Sequence, residues 1–216
     1  MIQKEDVIKQ IHAAFDGNHY PGDTGLQGSY EGCEPYEEVG SFKGVTDWRI
    51  LNADMLDAHC DALSFFSEVG FRFFLPAYLI ADLQGELRTA DPLFHLTGGF
   101  CAQSVEIPTR THVLSRKHGG EVPLNPRRYG AISFADYARF HLSVFTKEEA
   151  RAIVGYLDYV RDRDLHHNHR NQIDTALNSF WLDRAQTAPS REDLKKHLQE
   201  EKEFIAGREA MDPPNN

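Results

Sequence analysis

Residues 67–83 constrain the fold more than any other part of the sequence. Ser67 is a suitable N-cap, and the apolar side chains that follow, three phenylalanines among them, occupy nearly every side of a helix. A helix that is apolar all round belongs in the middle of a core. The stretch is too short to cross a bilayer, and it contains Arg72. Because Pro76 cannot donate a hydrogen bond to the carbonyl of Arg72, we expect a kink or a break at the proline.

Amphipathic helices are predicted on both sides of this central helix. Residues 3–15 carry an apolar stripe, and a helix of about 13 residues from Asp54 places its aspartates opposite its apolar face. An apolar periodicity predicts a further helix from about Asn168. Capping pairs three residues apart predict three more helix starts, which are Ser133 with Asp136, Thr146 with Glu149, and Ser190 with Asp193.

Two long connections are rich in helix breakers. The density of Gly and Pro in residues 16–46 argues against a regular helix there, although Glu38–Phe42 could form a short strand. Residues 84–131 return to Gly, Pro and charge, and the sequence does not predict their conformation. The fold class is therefore mainly α, a single helical domain around a central Pro-kinked aromatic helix, with long irregular connections and room for a short strand pair.

The predicted organisation has three parts. Residues 1–165 form a helical core domain, residues 166–208 form a C-terminal helical extension packed on it, and residues 209–216 form a disordered tail. No apolar run suits a membrane span or a signal peptide, and the three cysteines are odd in number and widely spaced. These features predict a cytoplasmic protein without a disulfide framework.

Negative charge is concentrated in the first half of the chain. The formal net charge is −10, and residues 16–61 hold ten acidic side chains against Lys43 and Arg49, a local net charge of −8. Such a field repels nucleic acid and anionic membranes and attracts a basic protein surface or a cation. The alternative is a solvated acidic loop that only aids solubility. The sequence does not predict the oligomeric state.

Three residues of the central region are candidate binding residues: His59, Arg72 and Tyr78. His59 falls on the apolar face of its helix. It is either a core histidine with hydrogen-bond partners, which is the favoured interpretation, or a general base. Arg72 must keep its proton within an apolar helix, so we expect it to pair with an acid between Asp47 and Asp61, the alternative being anion recognition in a pocket.

No motif predicts a cofactor or names a catalytic residue. The sequence lacks a Gly-rich phosphate loop, a nucleophile elbow, and a Cys pair at metal spacing. The cluster His166, His167 and His169 is the most conspicuous set of ligand-type side chains. His166 and His169 could present two imidazoles to one metal ion, but no further ligand is indicated, so a polar connection between helices is the favoured interpretation and no metal site is predicted.

From Trp48 the sequence continues to HCDALSF at His59–Phe65 and FRFFLPAYL at Phe71–Leu79. This stretch resembles the signature of a bacterial domain family of unknown function, which has a Trp, then HxDALSF, then an Arg-containing aromatic run closing on LPAYL. The segment Phe145–Val160 is similar to that family's threonine-capped helix, although Gln is more usual where Glu149 or Ala150 stands. Pro21-Gly22-Asp23 fits its opening turn.

The resemblance covers about two thirds of the chain. It implies a shared helical core, with residues around 100–130 and those after 165 as additions, and it implies no catalytic residue. The leading hypothesis is a non-enzymatic cytoplasmic protein-binding module whose acidic surface captures a basic partner, as an immunity protein captures a toxin. The second is an enzyme or small-ligand binder with a pocket beside the kinked helix that uses His59, Arg72 and Tyr78.

Overall fold

Ten α-helices with both ends described, a further helical segment at residues 191–196 and one β-hairpin are found in the parts of the chain that the computed structural model describes, which are residues 3–30, 32–100, 103–108, 113–118, 134–163, 169–196 and 199. Only the backbone is described for the strands, Phe134 and Asp136. The helices are α1 Lys4–Phe15, α2 Glu34–Gly40, α3 Ala53–Ala58, α4 Ala62–Phe65, α5 Glu68–Gln84, α6 Pro92–Thr97, α7 Phe134–Leu142, α8 Lys147–Arg163, α9 Arg170–Ala176 and α10 Leu182–Thr187. The strands are β1 Gln103–Pro108 and β2 Val113–His118.

Helix α5 is the predicted aromatic helix, and it lies at the centre of the core. Eleven of its 17 residues are buried. The hydroxyl of Ser67 accepts the backbone N–H of Gly70 at 3.0 Å, which confirms the predicted N-cap. The helix does not break at Pro76, because that residue is itself buried among the core side chains and costs the helix only one internal hydrogen bond.

Helices α1 and α8 pack on each other and on α5. The amphipathic prediction for residues 3–15 is confirmed, since Val7, Ile11 and Phe15 are fully buried. The predicted capping box at the start of α8 is also confirmed. The hydroxyl of Thr146 accepts the Glu149 N–H at 3.3 Å, and a Glu149 carboxylate oxygen accepts the Thr146 N–H at 2.8 Å.

Residues beyond 168 contribute to the same core. A π-helical turn, Leu177–Trp181, joins α9 to α10, and Trp181 is fully buried with its indole N–H donating to the carbonyl of Leu96 at 2.9 Å. The Ser190 cap is confirmed, because its hydroxyl accepts the Asp193 N–H at 3.2 Å and residues 191–196 are helical. Ser133 and the predicted tail, residues 209–216, lie outside the described residues.

Three predictions of local structure are wrong. Residues 16–46 do contain a regular helix, α2, because the only glycine within it is its last residue and its proline lies in the first turn. Glu38–Phe42 does not form a strand, because α2 occupies Glu34–Gly40 with a proline in its first turn, where the missing N–H costs nothing. The helix expected from Asp54 is divided into α3 and α4, since His59 leaves the helical conformation at φ −126° and ψ 53°. The carboxylate of Asp57 accepts the backbone N–H groups of residues 88–90, a tertiary contact that periodicity cannot reveal.

Helix α6 and the β-hairpin fall in the segment whose conformation the sequence did not predict. Strands β1 and β2 pair antiparallel, with Gln103 opposite His118 and Pro108 opposite Val113. The strand pair allowed by the predicted fold class therefore lies here rather than near Glu38. Among the described helices, none has the length and hydropathy needed to span a membrane.

Candidate functional site

Helix α2 turns an apolar side inward and an acidic side toward solvent. Pro35 and Val39, four residues apart, are buried, while Glu34, Tyr36 and Glu37 are exposed. Tyr36 keeps 51% of its surface exposed and Tyr30, just before the helix, keeps 57%. Their rings meet edge to face with centroids 6.2 Å apart. We call Tyr30, Glu34, Tyr36 and Glu37 the acidic tyrosine face.

The loop that leads to this face is fixed to the start of α5. The Gly28 N–H donates to the carbonyl of Phe65 at 2.8 Å, and the Ser67 N–H donates to the carbonyl of Leu26 at 2.7 Å. A Cβ at Gly28 would lie 2.6 Å from the Phe66 carbonyl oxygen, so the two backbones approach too closely for any other residue. These contacts tie the segment just before the acidic tyrosine face to the residues that begin α5.

Several other acids of residues 16–61 have local partners. Arg49 pairs with Asp16 and, at 3.0 Å, with Asp47. Asp57 accepts backbone N–H groups, which lowers the pKa of its carboxyl to about 2 despite some desolvation. By contrast, the two glutamates of the acidic tyrosine face form no ion pair with any described residue.

A second set of titratable groups lies beneath this face. The Nδ1 atom of His59 and the Oε2 atom of Glu38 are 4.0 Å apart, and both atoms are buried without a hydrogen-bond partner among the described residues. Burial, followed by the negative charges of Asp61 and Glu38, raises the pKa of the Cys60 thiol. A reactive cysteine needs the opposite, electropositive surroundings, so Cys60 is not suited to act as a nucleophile.

Two of the three predicted binding residues come together. The Tyr78 hydroxyl donates to the carbonyl of His59 at 3.4 Å, and the Tyr78 side chain is fully buried, which raises the pKa of its phenol. Arg72 contacts neither of them among the described interactions. A joint ligand site of these residues stays a prediction.

Arg72 has a structural partner, but it is not the one expected. Its Nε donates to Glu149 Oε2 at 2.8 Å and its Nη2 to Oε1 at 2.9 Å. The Glu149 side chain is fully buried and that of Arg72 is 14% exposed. The prediction that Arg72 pairs with a carboxylate is confirmed in kind. Its partner comes from α8 and not from residues 47–61, because the fold brings the start of α8 against α5.

A surface depression of about 260 Å³ opens beside the last turn of α5. It is lined by Asp82, Leu83, Tyr159, Val160, Arg163 and His169. Asp82 Oδ2 accepts the hydroxyl hydrogen of the fully buried Tyr156 at 2.6 Å. Burial is the main reason that the pKa of the Asp82 carboxyl is raised.

The histidine cluster does not form a metal centre in the part of the structure that is described. His169 lies at the depression, whereas His166 and His167 are outside the described residues. No group of three His, Cys, Asp or Glu side chains is arranged to hold a metal ion within the described ranges.

Sequence reasoning missed Tyr30, Tyr36 and Asp82. Two tyrosines that flank the glutamates of a glycine-rich segment were a usable signal, because exposed Tyr beside charge is typical of contact surfaces. An aspartate near the end of an otherwise apolar helix was a second signal, because a carboxylate there must either reach solvent or bind something.

Taken together, the fold and its surface define a mainly helical protein with an acidic, tyrosine-bearing face. The chain belongs to the family of unknown function DUF6714, whose sequence model matches residues 3–116. The match includes residues 100–116, which we expected to be an addition, and it ends before the threonine-capped helix. No curated protein and no solved structure matches the chain.

Proposed function

We propose that this protein is a non-enzymatic, cytoplasmic protein-binding module that captures a basic partner through the acidic tyrosine face. The observation that carries the proposal is that α2 bears two exposed carboxylates without ion-pair partners among the described residues, together with the exposed Tyr36, whose ring contacts the exposed Tyr30 just before the helix. The proposed mode of capture is that of an immunity protein and its toxin: opposite charges bring the partners together, and aromatic contacts hold them.

Charge supports a basic partner over other classes. The local net charge of −8 in residues 16–61 repels phosphate and attracts lysine and arginine, and opposite fields speed the encounter of two proteins. Arg49 already neutralises part of Asp16 and Asp47, whereas Glu34 and Glu37 form no ion pair with a described residue and contribute to the remaining negative field.

The tyrosines support a contact surface over a merely soluble loop. Tyrosine is enriched at interface hot spots, because it contributes a large contact area and a hydroxyl at little cost in side-chain entropy. A loop that served solubility alone would gain nothing from two half-exposed rings. The edge-to-face contact between Tyr30 and Tyr36 also fixes both rings before a partner arrives, which lowers the entropy lost on binding.

The test uses a synthetic peptide of alternating arginine and glycine and the same peptide with citrulline in place of arginine. Binding to the full chain is measured by calorimetry and mapped by NMR. We expect the arginine peptide to shift the signals of the acidic tyrosine face, and the citrulline peptide, which has the same shape without the charge, to leave them unchanged. Binding of the arginine peptide should weaken as salt is raised.

Variants that lack the two glutamate charges test whether these charges bind the peptide. Each exposed ion pair contributes up to about 1 kcal/mol, so Glu34→Gln with Glu37→Gln should weaken peptide binding roughly 5- to 30-fold. Glu148→Gln, an exposed glutamate on α8, is the matched control and should have no effect. If the peptide shifts signals all over the surface, or if the double variant binds as well as the unmodified protein, the proposal is wrong.

A further inference from the structure

The depression beside the last turn of α5 contains a carboxylate that the fold does not neutralise. Asp82 receives one hydrogen bond from Tyr156, but it forms no ion pair with any base that the structure describes. Burial and the nearby negative charge of Asp91 both raise the pKa of the Asp82 carboxyl. A cationic group placed in the depression would relieve this cost, since opposite charge favours the ionised carboxylate.

A positive charge, that of Arg163, lies in the same depression. The guanidinium of Arg163 is 4.2 Å from the centroid of the Tyr159 ring, which holds it by a cation–π contact. Within the described part of the chain Arg163 pairs with no carboxylate. His169 also lines the depression. An anionic group therefore has a fixed cation to bind, in the same small volume as Asp82.

The rest of the lining is apolar. Leu83 and Tyr159 are largely buried, and Val160 packs against the core from the same side. The volume of about 260 Å³ lies just below the range of typical ligand sites, roughly 300–1,000 Å³. The occupant must be small, must carry both charges, and must offer some apolar surface.

We propose that this depression binds the zwitterion of a free α-amino acid with an apolar side chain. The ammonium group donates to Asp82, the carboxylate accepts from Arg163, and the side chain lies against Leu83 and Val160. This goes beyond the capture of a basic partner, because the depression is built from α5, α8 and His169 and shares no residue with the acidic tyrosine face.

Three matched probes test the proposal: L-leucine, 3-methylbutylamine, which lacks the carboxylate, and 4-methylpentanoate, which lacks the ammonium group. Each is titrated into the full chain at neutral pH and followed by NMR. We expect leucine to bind at least about 10-fold more tightly than either fragment, because a hydrogen bond to a charged group changes affinity by roughly that factor or more. Its shifts should be confined to residues around the depression.

Two variants separate recognition from folding. Asp82→Asn keeps an acceptor for the Tyr156 hydroxyl and should weaken leucine binding roughly 10-fold or more. Arg163→Gln changes an exposed side chain and should therefore fold normally, so it tests the proposal even if Asp82→Asn does not fold. Glu148→Gln serves as the control that should bind normally.

Some outcomes would overturn the proposal. Equal affinity for leucine and one fragment would show that the missing charge is not recognised, and the absence of saturable binding up to the solubility limit of leucine would show that there is no site. Unchanged leucine binding by Arg163→Gln would equally contradict the assigned contacts.

Discussion

The buried ion pair between Arg72 and Glu149 allows a sharp test of how this fold is held together. Glu149 is fully buried, accepts two hydrogen bonds of 2.8 and 2.9 Å from the guanidinium, and also accepts the Thr146 N–H at 2.8 Å. Arg72→Met would leave the carboxylate without its counter-ion, and removing one partner of such a pair costs about 3–5 kcal/mol. That is a large part of the roughly 5–15 kcal/mol by which domains are stable.

The reverse variant should cost less. Glu149→Leu leaves a guanidinium whose side chain is 14% exposed and can be partly hydrated, so we expect a loss of about 2–3 kcal/mol, including the lost capping bond. The double variant buries no charge at all. Replacing both partners with apolar residues is often neutral, so the double variant should lose only about 1 kcal/mol for the missing capping bond and should be more stable than Arg72→Met alone. The coupling energy is then at least about 3 kcal/mol.

Urea denaturation provides the measurement. The two tryptophans, Trp48 and Trp181, are both buried, so their fluorescence should report global unfolding, and linear extrapolation yields the free energy of unfolding for each variant. Arg49→Met is the matched control, because Arg49 makes its ion pairs at the surface and should cost less than about 1 kcal/mol. If the losses of Arg72→Met and Glu149→Leu simply add in the double variant, the pair does not act as a buried unit and the reasoning fails.

Three further predictions concern Asp57 in α3 and Gly70 and Phe74 in α5. Asp57→Asn removes the carboxylate that accepts the amides of residues 88–90 and should cost about 1 kcal/mol, after a discount for its solvent exposure. Because the pKa of that carboxyl is lowered from 3.8 to about 2, its contribution to stability is complete above pH 3.8 and is lost as pH falls through 2. The free energy of unfolding, measured as pH is lowered, should show this loss in the unmodified protein and not in the variant. Gly70→Ala should destabilise the protein in urea denaturation although alanine favours helices, because its Cβ would lie 2.7 Å from the Leu26 carbonyl oxygen. Phe74→Ala should lower the free energy of unfolding by about 3–5 kcal/mol, because this fully buried ring lies at the centre of the core.

Each of these predictions has a control and a contrary outcome. Gly155→Ala, whose Cβ meets only the flexible end of Gln10 at 3.0 Å, should be neutral or stabilising by up to about 1 kcal/mol. Phe94→Ala removes a ring that is 49% exposed and should cost far less than Phe74→Ala. Comparable losses of unfolding free energy for Phe74→Ala and Phe94→Ala would contradict the central position of α5. A stabilising effect of Gly70→Ala would contradict the close approach of the Leu26 loop. An unchanged dependence of stability on acid pH in Asp57→Asn would contradict the role of its carboxylate.

Features carried by residues close in sequence could be predicted. The caps at Ser67 and Thr146 each join groups three residues apart, so their chemistry is present in any conformation that begins a helix there. The burial of α5 follows from its composition alone, because a helix that is apolar on every side has no stable position at a surface. The formation of α8 on an apolar stripe follows from its periodicity in the same way.

Features carried by residues far apart in sequence could not be predicted. His59 interrupts an amphipathic pattern that periodicity reads as one helix, and the observed division into α3 and α4 accompanies contacts of Asp57 with a loop about 30 residues away. The acidic tyrosine face was missed because a pattern of Gly and Pro shows where a chain bends but not which side chains remain exposed.

By itself, then, the sequence determined the mainly helical class, the central helix and its caps, and the sign of the surface charge, since each depends on local spacing or on composition. Only the tertiary structure decided that Arg72 pairs with Glu149, 77 residues away, that Tyr30 and Tyr36 meet at the surface, and that Asp82 and Arg163 line one depression. The physical reason is that charge and hydrogen-bonding groups are satisfied by whatever the fold brings near them, and distance along the chain does not fix distance in space.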